Sequence, residues 1–341
     1  MLVIRPITSR DLGALLRIAE ESGVGFTSLP VNEERLAAKI AYSEASFALG
    51  DDDCQSGEQG YLLVMEDTET GEVVGTTALE ARVGQSDAFW HYHLGSAVHS
   101  SPTLGVHKEH QLLTLCNDYS GVSELCTLFL SESHRQGHNG RLLSKCRFLF
   151  LAEFRDRFAE VVIAEMRGVS DTEGQSPFWS WLQKHFFDME FPQADYLSGL
   201  GKKTFIAELM PRHPVYVDML PKAAQAVIGQ VHDKTRPALK LLTAEGFRWR
   251  GYVDIFDAGP TVECDIDHIQ AIRESERLQV AIGNTDDGIK TMIANTNLQH
   301  FRCTLANALH RKGDLVLDRA TADALGVKAG DWVRAIAFEK E

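Results

Sequence analysis

Residues 134–147, HRQGHNGRLLSKCR, gather the side chains that an anionic ligand needs. Arg135, Arg141, Lys145 and Arg147 fall within this stretch, which holds no acidic residue although the whole chain carries a formal charge of −14. Gly137 and Gly140 let the backbone turn and let a ligand approach its amides. The run that follows, RLLSKCRFLFLAEFRDRF, is apolar at Leu142, Leu143, Cys146, Leu149, Phe150 and Phe154, which is helical spacing. First-turn amides of a helix lack internal partners, and the dipole there favours an anion. The chemistry indicated is phosphate binding, with a plain turn as the structural alternative. Neither the kinase-type G-x-x-x-x-G-K-[ST] spacing nor the dinucleotide G-x-G-x-x-G spacing is present.

His232 lies between a Gly-Gln turn and a helix start at Thr235. An imidazole with an ordinary pKa of about 6.5 can move protons near neutrality, although a histidine in a loop can equally serve to hold that loop. Glu165 and Arg167 alternate at the end of the apolar run VVIAEMRG, where buried charge is costly unless paired. A carboxylate there suits a cationic ligand and a guanidinium suits a carboxylate; both can also answer structural partners. Asp254 and Asp257 in GYVDIFDAGP are candidates of the same kind, and Thr27 and Ser28 are polar loop residues. His91 and His93 alternate as strand neighbours do, but no third ligand follows at metal spacing, so no metal is expected.

Elements must bring these residues together. LVIRP reads as a strand, then a helix capped at Thr8 or Ser9, then a second helix over about 32–47. A polar loop, ALGDDDCQSGEQG, leads to the hairpin YLLVMED–TETG–EVVGTTALEARV. Residues 84–120 read as an irregular excursion with short strands. ELCTLFL, the glycine-containing loop, the long helix and VVIAEMRG form a βαβ unit. SPFWSWLQKHFF reads as a short helix with Ser176 as cap and Pro177 first, TFIAELMP as a strand, and TRPALKLLTAEGF as a helix ended by Gly246. After residue 262 short strand-like pieces alternate with turns. The expected class is α/β with a central mixed sheet over residues 1–260 and a small β-rich module over 261–341.

With 48 acidic against 34 basic residues, 44% apolar and 24% charged, the balance is that of a globular protein. The negative surplus weighs against nucleic acid or an anionic membrane and suits a cationic or zwitterionic small molecule. No run reaches the ~18 apolar residues of a membrane span. The start, MLVIRPITSRDLGALL, is broken by Arg5, Ser9, Arg10 and Asp11, unlike a signal peptide. Six scattered cysteines without a C-x-x-C pair suggest neither disulfides nor zinc, and a reduced cytoplasmic setting is expected.

IRPITSRDLGALL, the hairpin and a loop of type R/Q-x-x-G-x-G/A resemble the acyl-CoA N-acyltransferase (GNAT) superfamily. Arg135 and Gly140 fit that loop, while His138 stands at its usual first glycine and Gly137 comes one position early. More specifically, TSLP with NEE, SELCTLFL, AEFRDRFAEVVIAEMRG, SPFW, FIAELMP, VIGQVH and GYVDIFDAGP resemble the arginine N-succinyltransferases over residues 1–275. The resemblance implies a GNAT-like fold with a small C-terminal β-barrel-like module. It implies transfer of succinyl from succinyl-CoA, a co-substrate rather than a resident cofactor, to the α-amino group of L-arginine, the first step of a catabolic route. On that resemblance Leu128 contacts succinyl-CoA and His232 is the proton donor. Arg135, Gly137, Asn139 and Gly140 then take the CoA pyrophosphate, and Glu165, Arg167 and Asp254 are candidate substrate contacts. Homo- or hetero-oligomers with a related subunit are implied as well. An ornithine-preferring enzyme and a non-catalytic partner subunit are the alternatives.

Overall fold

In the computed structural model, which describes residues 1–23, 26–50, 57–171, 174–202, 204–311 and 313–338, most of the polar loop after residue 48, with Cys54, lies outside the described residues. The first half runs β1 (Leu2–Pro6), α1 (Leu12–Ser22), α2 (Glu33–Ala48), β2 (Gly60–Asp67), β3 (Glu72–Glu80), β4 (His91–Ser101), β5 (Val106–Cys116), β6 (Ser123–Leu130), α3 (Asn139–Glu153) and β7 (Val161–Glu165). Then follow α4 (Pro177–His185), α5 (Phe191–Gly199), α6 (Thr204–Leu209), β8 (Val215–Tyr216), α7 (Lys222–Val227), α8 (Arg236–Ala244), β9 (Arg248–Val253), β10 (Pro260–Asp265) and α9 (Gln270–Glu274). The last part is β11 (Glu276–Ile282), β12 (Ile289–Asn295), β13 (Cys303–Arg311), β14 (Asp314–Leu317), α10 (Arg319–Leu325) and β15 (Trp332–Ala337).

The main sheet has the order β1-β2-β3-β6-β7-β10-β9-β4-β5-β8 and is antiparallel except for the pair β6–β7. Its crossover helix, α3, is buried along almost its whole length from Leu142 to Leu151. Each large apolar side chain that it removes from water contributes about 1.5–3 kcal/mol. On the opposite face α1 and α2 pack Leu15, Ile18, Leu36 and Ile40 against Leu62, Val64 and Ala78. Asp11, which caps its own turn with Thr8, is also held by Arg5 at 2.8 Å, tying α1 to β1.

β11 to β15 close on themselves through β12–β13 and form a five-stranded barrel, which joins the main sheet where β13 pairs with β1. Phe301 of the barrel meets Phe150 of α3 with ring centroids 4.9 Å apart, and Arg334 pairs with Glu153 at 2.9 Å. β10 pairs with β7, so residues 260–265 sit in the main sheet and the barrel proper starts at Glu276.

Two expectations are corrected. Residues 84–120 are not irregular: β4 and β5 form one long ribbon paired from His91↔Cys116 to Ser101↔Val106. Its outer half is solvated on both faces, which erased the polar–apolar alternation that marks a half-buried strand. TFIAELMP forms α6 rather than a strand, with Met210 N donating to Ile206 O at 3.0 Å. Ile206 is its buried anchor, packed in the core with Phe187, Phe191 and Met210.

Candidate active site

The parallel ladder β6–β7 holds only at Ser123↔Val162 and Glu124↔Ile163; beyond it the two strands diverge. On its other side β6 skips register against β3 between Thr76↔Phe129 and Ala78↔Cys126. The skip centres on Thr127, whose φ of +55° is strained for a β-branched residue. Leu128 follows the kink, half-buried against the α3 core. The result is a cleft opening between β6 and β7, lined on one side by backbone that the sheet does not pair.

At the β6 end the chain enters the glycine-containing loop. Glu21 of α1 takes the Ser131 hydroxyl at 2.9 Å and the Glu132 amide at 3.0 Å, which pins the loop's start. Arg135 donates from Nε to Leu130 O at 2.7 Å and lies over Phe129, leaving its guanidinium exposed. Asn139 Nδ2 donates to His134 O at 3.0 Å. Gly137, at φ +55°, and Gly140 would meet nothing within 4 Å if they carried a Cβ, so the loop faces open space at the start of α3. The remaining basic residues do not converge there. Lys145 pairs with buried Glu245 at 2.8 Å, and Arg147 lies inside the core on Ser144, its pKa pushed down by burial to about 10. Arg141 stacks 4.4 Å over Phe338, which His138 also touches. Neighbourhood in sequence put four cations in one cluster; the fold gave three of them, Arg141, Lys145 and Arg147, other partners.

At the β7 end the expected residues come together. Glu165 closes the strand with its side chain 30% exposed. The Arg167 carbonyl accepts from His232 N at 2.9 Å, and Gly168 bridges to Val231, so the His232 loop is stitched to the end of β7. His232 Nδ1 accepts from Lys234 N at 3.1 Å, which assigns the proton of the neutral ring to Nε2. Burial, then the charges of Arg167 and Lys234, hold its pKa below the ordinary value. Asp257, buried, takes the Gly168 amide at 2.7 Å and the Gly259 amide at 2.8 Å. Asp254 accepts the amides of Phe256 and Asp257 and is raised well above the carboxylate range by burial, then by Asp257 and Glu165. Asp254 is thus fully enclosed beside Asp257, whereas the Glu165 side chain remains partly exposed. Thr27 is held by Asp195 of α5, so its loop is docked on the neighbouring helix.

Sequence reasoning missed His91, Tyr119 and Glu263. His91 is fully buried with Nε2 2.9 Å from Glu165 Oε1; Tyr119 stacks on it and donates its hydroxyl to Glu263, which also meets Arg250. The alternation His91/His93 was a usable signal, since a strand histidine facing a charged strand end needs a partner. Among the described residues no group of three or more His, Cys, Asp or Glu side chains could hold a metal ion, and no helix is long and apolar enough to cross a membrane.

Residues 2–271 match the family model for the arginine N-succinyltransferase beta subunit, and 276–337 match that for its C-terminal domain. The chain belongs to the arginine N-succinyltransferase family. It is 51% identical over 338 residues to the arginine N-succinyltransferase of Salmonella schwarzengrund, covering 98% of this chain and 97% of that one. Its fold matches the solved arginine/ornithine succinyltransferase subunit AI from Pseudomonas aeruginosa with a TM-score of 0.91 at 38% identity, over 100% of this chain and 99% of the other. As a member of this family the enzyme is an acyltransferase.

Proposed function

We propose that the cleft carries succinyl from succinyl-CoA to the α-amino group of L-arginine as the first step of arginine catabolism. The observation that supports this reading is the divergence of β6 from β7, with an open cationic loop at one end and the Glu165–His232 group at the other. CoA would run along β6 past Leu128, with its pyrophosphate at Arg135, Gly137, Asn139 and Gly140. The kink at Thr127 would offer unpaired backbone amides to the thioester carbonyl, which accords with a GNAT-like acyltransferase. Glu165 would face the cationic amine, Arg167 the succinyl carboxylate, and Asp254 would line the floor.

Attack of a neutral amine on the thioester builds an oxyanion, then expels a thiolate; the attacking nitrogen loses one proton and the sulfur gains one. The proton that the nitrogen loses would reach the sulfur through His232: the neutral ring takes it up, with Nδ1 released from the Lys234 amide, and the imidazolium then gives a proton to the departing sulfur and returns to neutral. Residues 1–260 would form the acyltransferase domain and 261–341 the C-terminal module, with β10 of that module completing the main sheet. A related subunit as oligomeric partner belongs to the same reading.

The purified single chain, assayed with succinyl-CoA and acetyl-CoA against arginine and ornithine, should be active alone, prefer succinyl-CoA, and prefer arginine. A preference for ornithine would favour the alternative specificity, since the name of the Pseudomonas protein covers both amino acids. No turnover without a second chain would favour a supporting subunit. Arg135→Ala should raise the KM for succinyl-CoA about tenfold, the loss of one charge-assisted contact, and leave the arginine KM within about twofold. A change in the arginine KM alone would remove the loop from the cofactor site.

A further inference from the structure

We infer that His91 is a positioning residue that aims the Glu165 carboxylate at the amino substrate. The inference rests on the reading of Glu165 as the group facing the amine. The registers Tyr92↔Val253↔Pro260 place that row against the apolar core, so the flanking His91 and Thr261 turn to the opposite face. Glu165 lies opposite Thr261 and shares that face. The imidazole is 0% exposed, held edge-on between Phe89 at 4.8 Å and Tyr119 at 5.0 Å. Its Nε2 stands 2.9 Å from Glu165 Oε1, yet off the line of a good hydrogen bond, and neither ring nitrogen has another hydrogen-bond partner among the described residues.

A buried polar ring without a well-formed bond is costly and calls for a reason. The rigid aromatic cage fixes the imidazole, whereas Glu165 is the last residue of its strand and partly exposed, so the glutamate is the member free to adjust. When a cation fills the cleft, the carboxylate can present one oxygen to it and the other to Nε2–H. Catalytic contacts in an empty site are commonly misaligned in this way and tighten on binding. His91, fully buried on the same face as Glu165, would touch substrate only through it.

The test is kinetic. His91→Phe, which fits the aromatic cage, should raise the arginine KM about ten- to fiftyfold, the size of a lost hydrogen bond to a charged group. The succinyl-CoA KM and the Tm should stay close to those of the parent. His91→Gln, which keeps an amide N–H at similar reach, should restore most of the arginine KM. In the double variant with Glu165→Gln, the two effects on KM should not add, because one residue acts through the other. An unchanged arginine KM in His91→Phe, additive effects in the double variant, or failure of His91→Gln to rescue would overturn the inference. If His91→Phe does not fold, His91→Leu, which also removes the N–H, takes its place in the cycle with Glu165→Gln: additivity overturns, non-additivity supports. Should Glu165→Gln by itself leave the arginine KM untouched, the reading of Glu165 fails; should it raise that KM while His91→Phe does not, only His91 is misassigned.

Discussion

Replacing His232 with alanine is expected to lower kcat by about 10²- to 10⁴-fold, the usual contribution of a placed acid or base. That range is roughly 3 to 5 kcal/mol of barrier. Succinyl-CoA binding should be nearly unchanged, because the side chain lies at the β7 end of the cleft and the expected pyrophosphate loop at the β6 end. Loss of the Nδ1 bond to Lys234 is a local cost, so the Tm should move little. The wild-type pH profile supplies a second check. Since burial and the neighbouring cations favour the neutral ring, kcat/KM should hold as pH falls through about 6.5 and decline only below it. The folded state disfavours the extra proton, so any stability tied to this ring is also lost on the acid side. A stably folded His232→Ala protein with near-normal kcat would remove the histidine from the chemistry and make Glu165 the next group to test.

Gly259→Ala should be the most damaging small substitution at the site. An added Cβ would collide with Met166 O and lie 2.5 Å from Gly168 N, and both are backbone atoms that cannot rotate away. Relief requires moving the segment from Met166 to Gly168, at a cost of about 3 kcal/mol by comparison with overpacked cores. That segment carries the Arg167 carbonyl that anchors His232 and the Gly168 amide that satisfies Asp257. The variant should therefore lose both Tm and kcat. Gly13→Ala, on α1 with nothing within 4 Å, is the control and should be neutral or slightly stabilising. Unfolding curves and turnover of the two variants beside the wild type provide the measurement, and a wild-type Tm and kcat for Gly259→Ala would refute the expectation.

The local grammar of this chain was legible without coordinates. LVIRP, the TETG hairpin, α2, the βαβ unit around α3, the Pro177 helix and the stop at Gly246 all follow from short-range rules of capping, periodicity and turn chemistry, and each forms close to its expected bounds. The residue types for the proposed chemistry were legible as well, since Arg135, Glu165, Asp254 and His232 stand in segments whose strand ends and loops could be read. Other features depended on partners distant in sequence. Four cations in one segment looked alike until the helix turned Lys145 to Glu245 and sank Arg147 into the core. TFIAELMP alternates well enough for a strand, but it folds as α6 with Ile206 buried in the core. Closure of the barrel needed β12 to meet both β13 and β15, a register that no single segment encodes. Only the tertiary structure set His91 behind Glu165, because β4 reaches β7 through β9 and β10, not through its own neighbours in sequence. Capping and periodicity act within a few residues and can be read locally, whereas the pairing of strands and the direction of a buried charge depend on whichever partner the whole fold brings near.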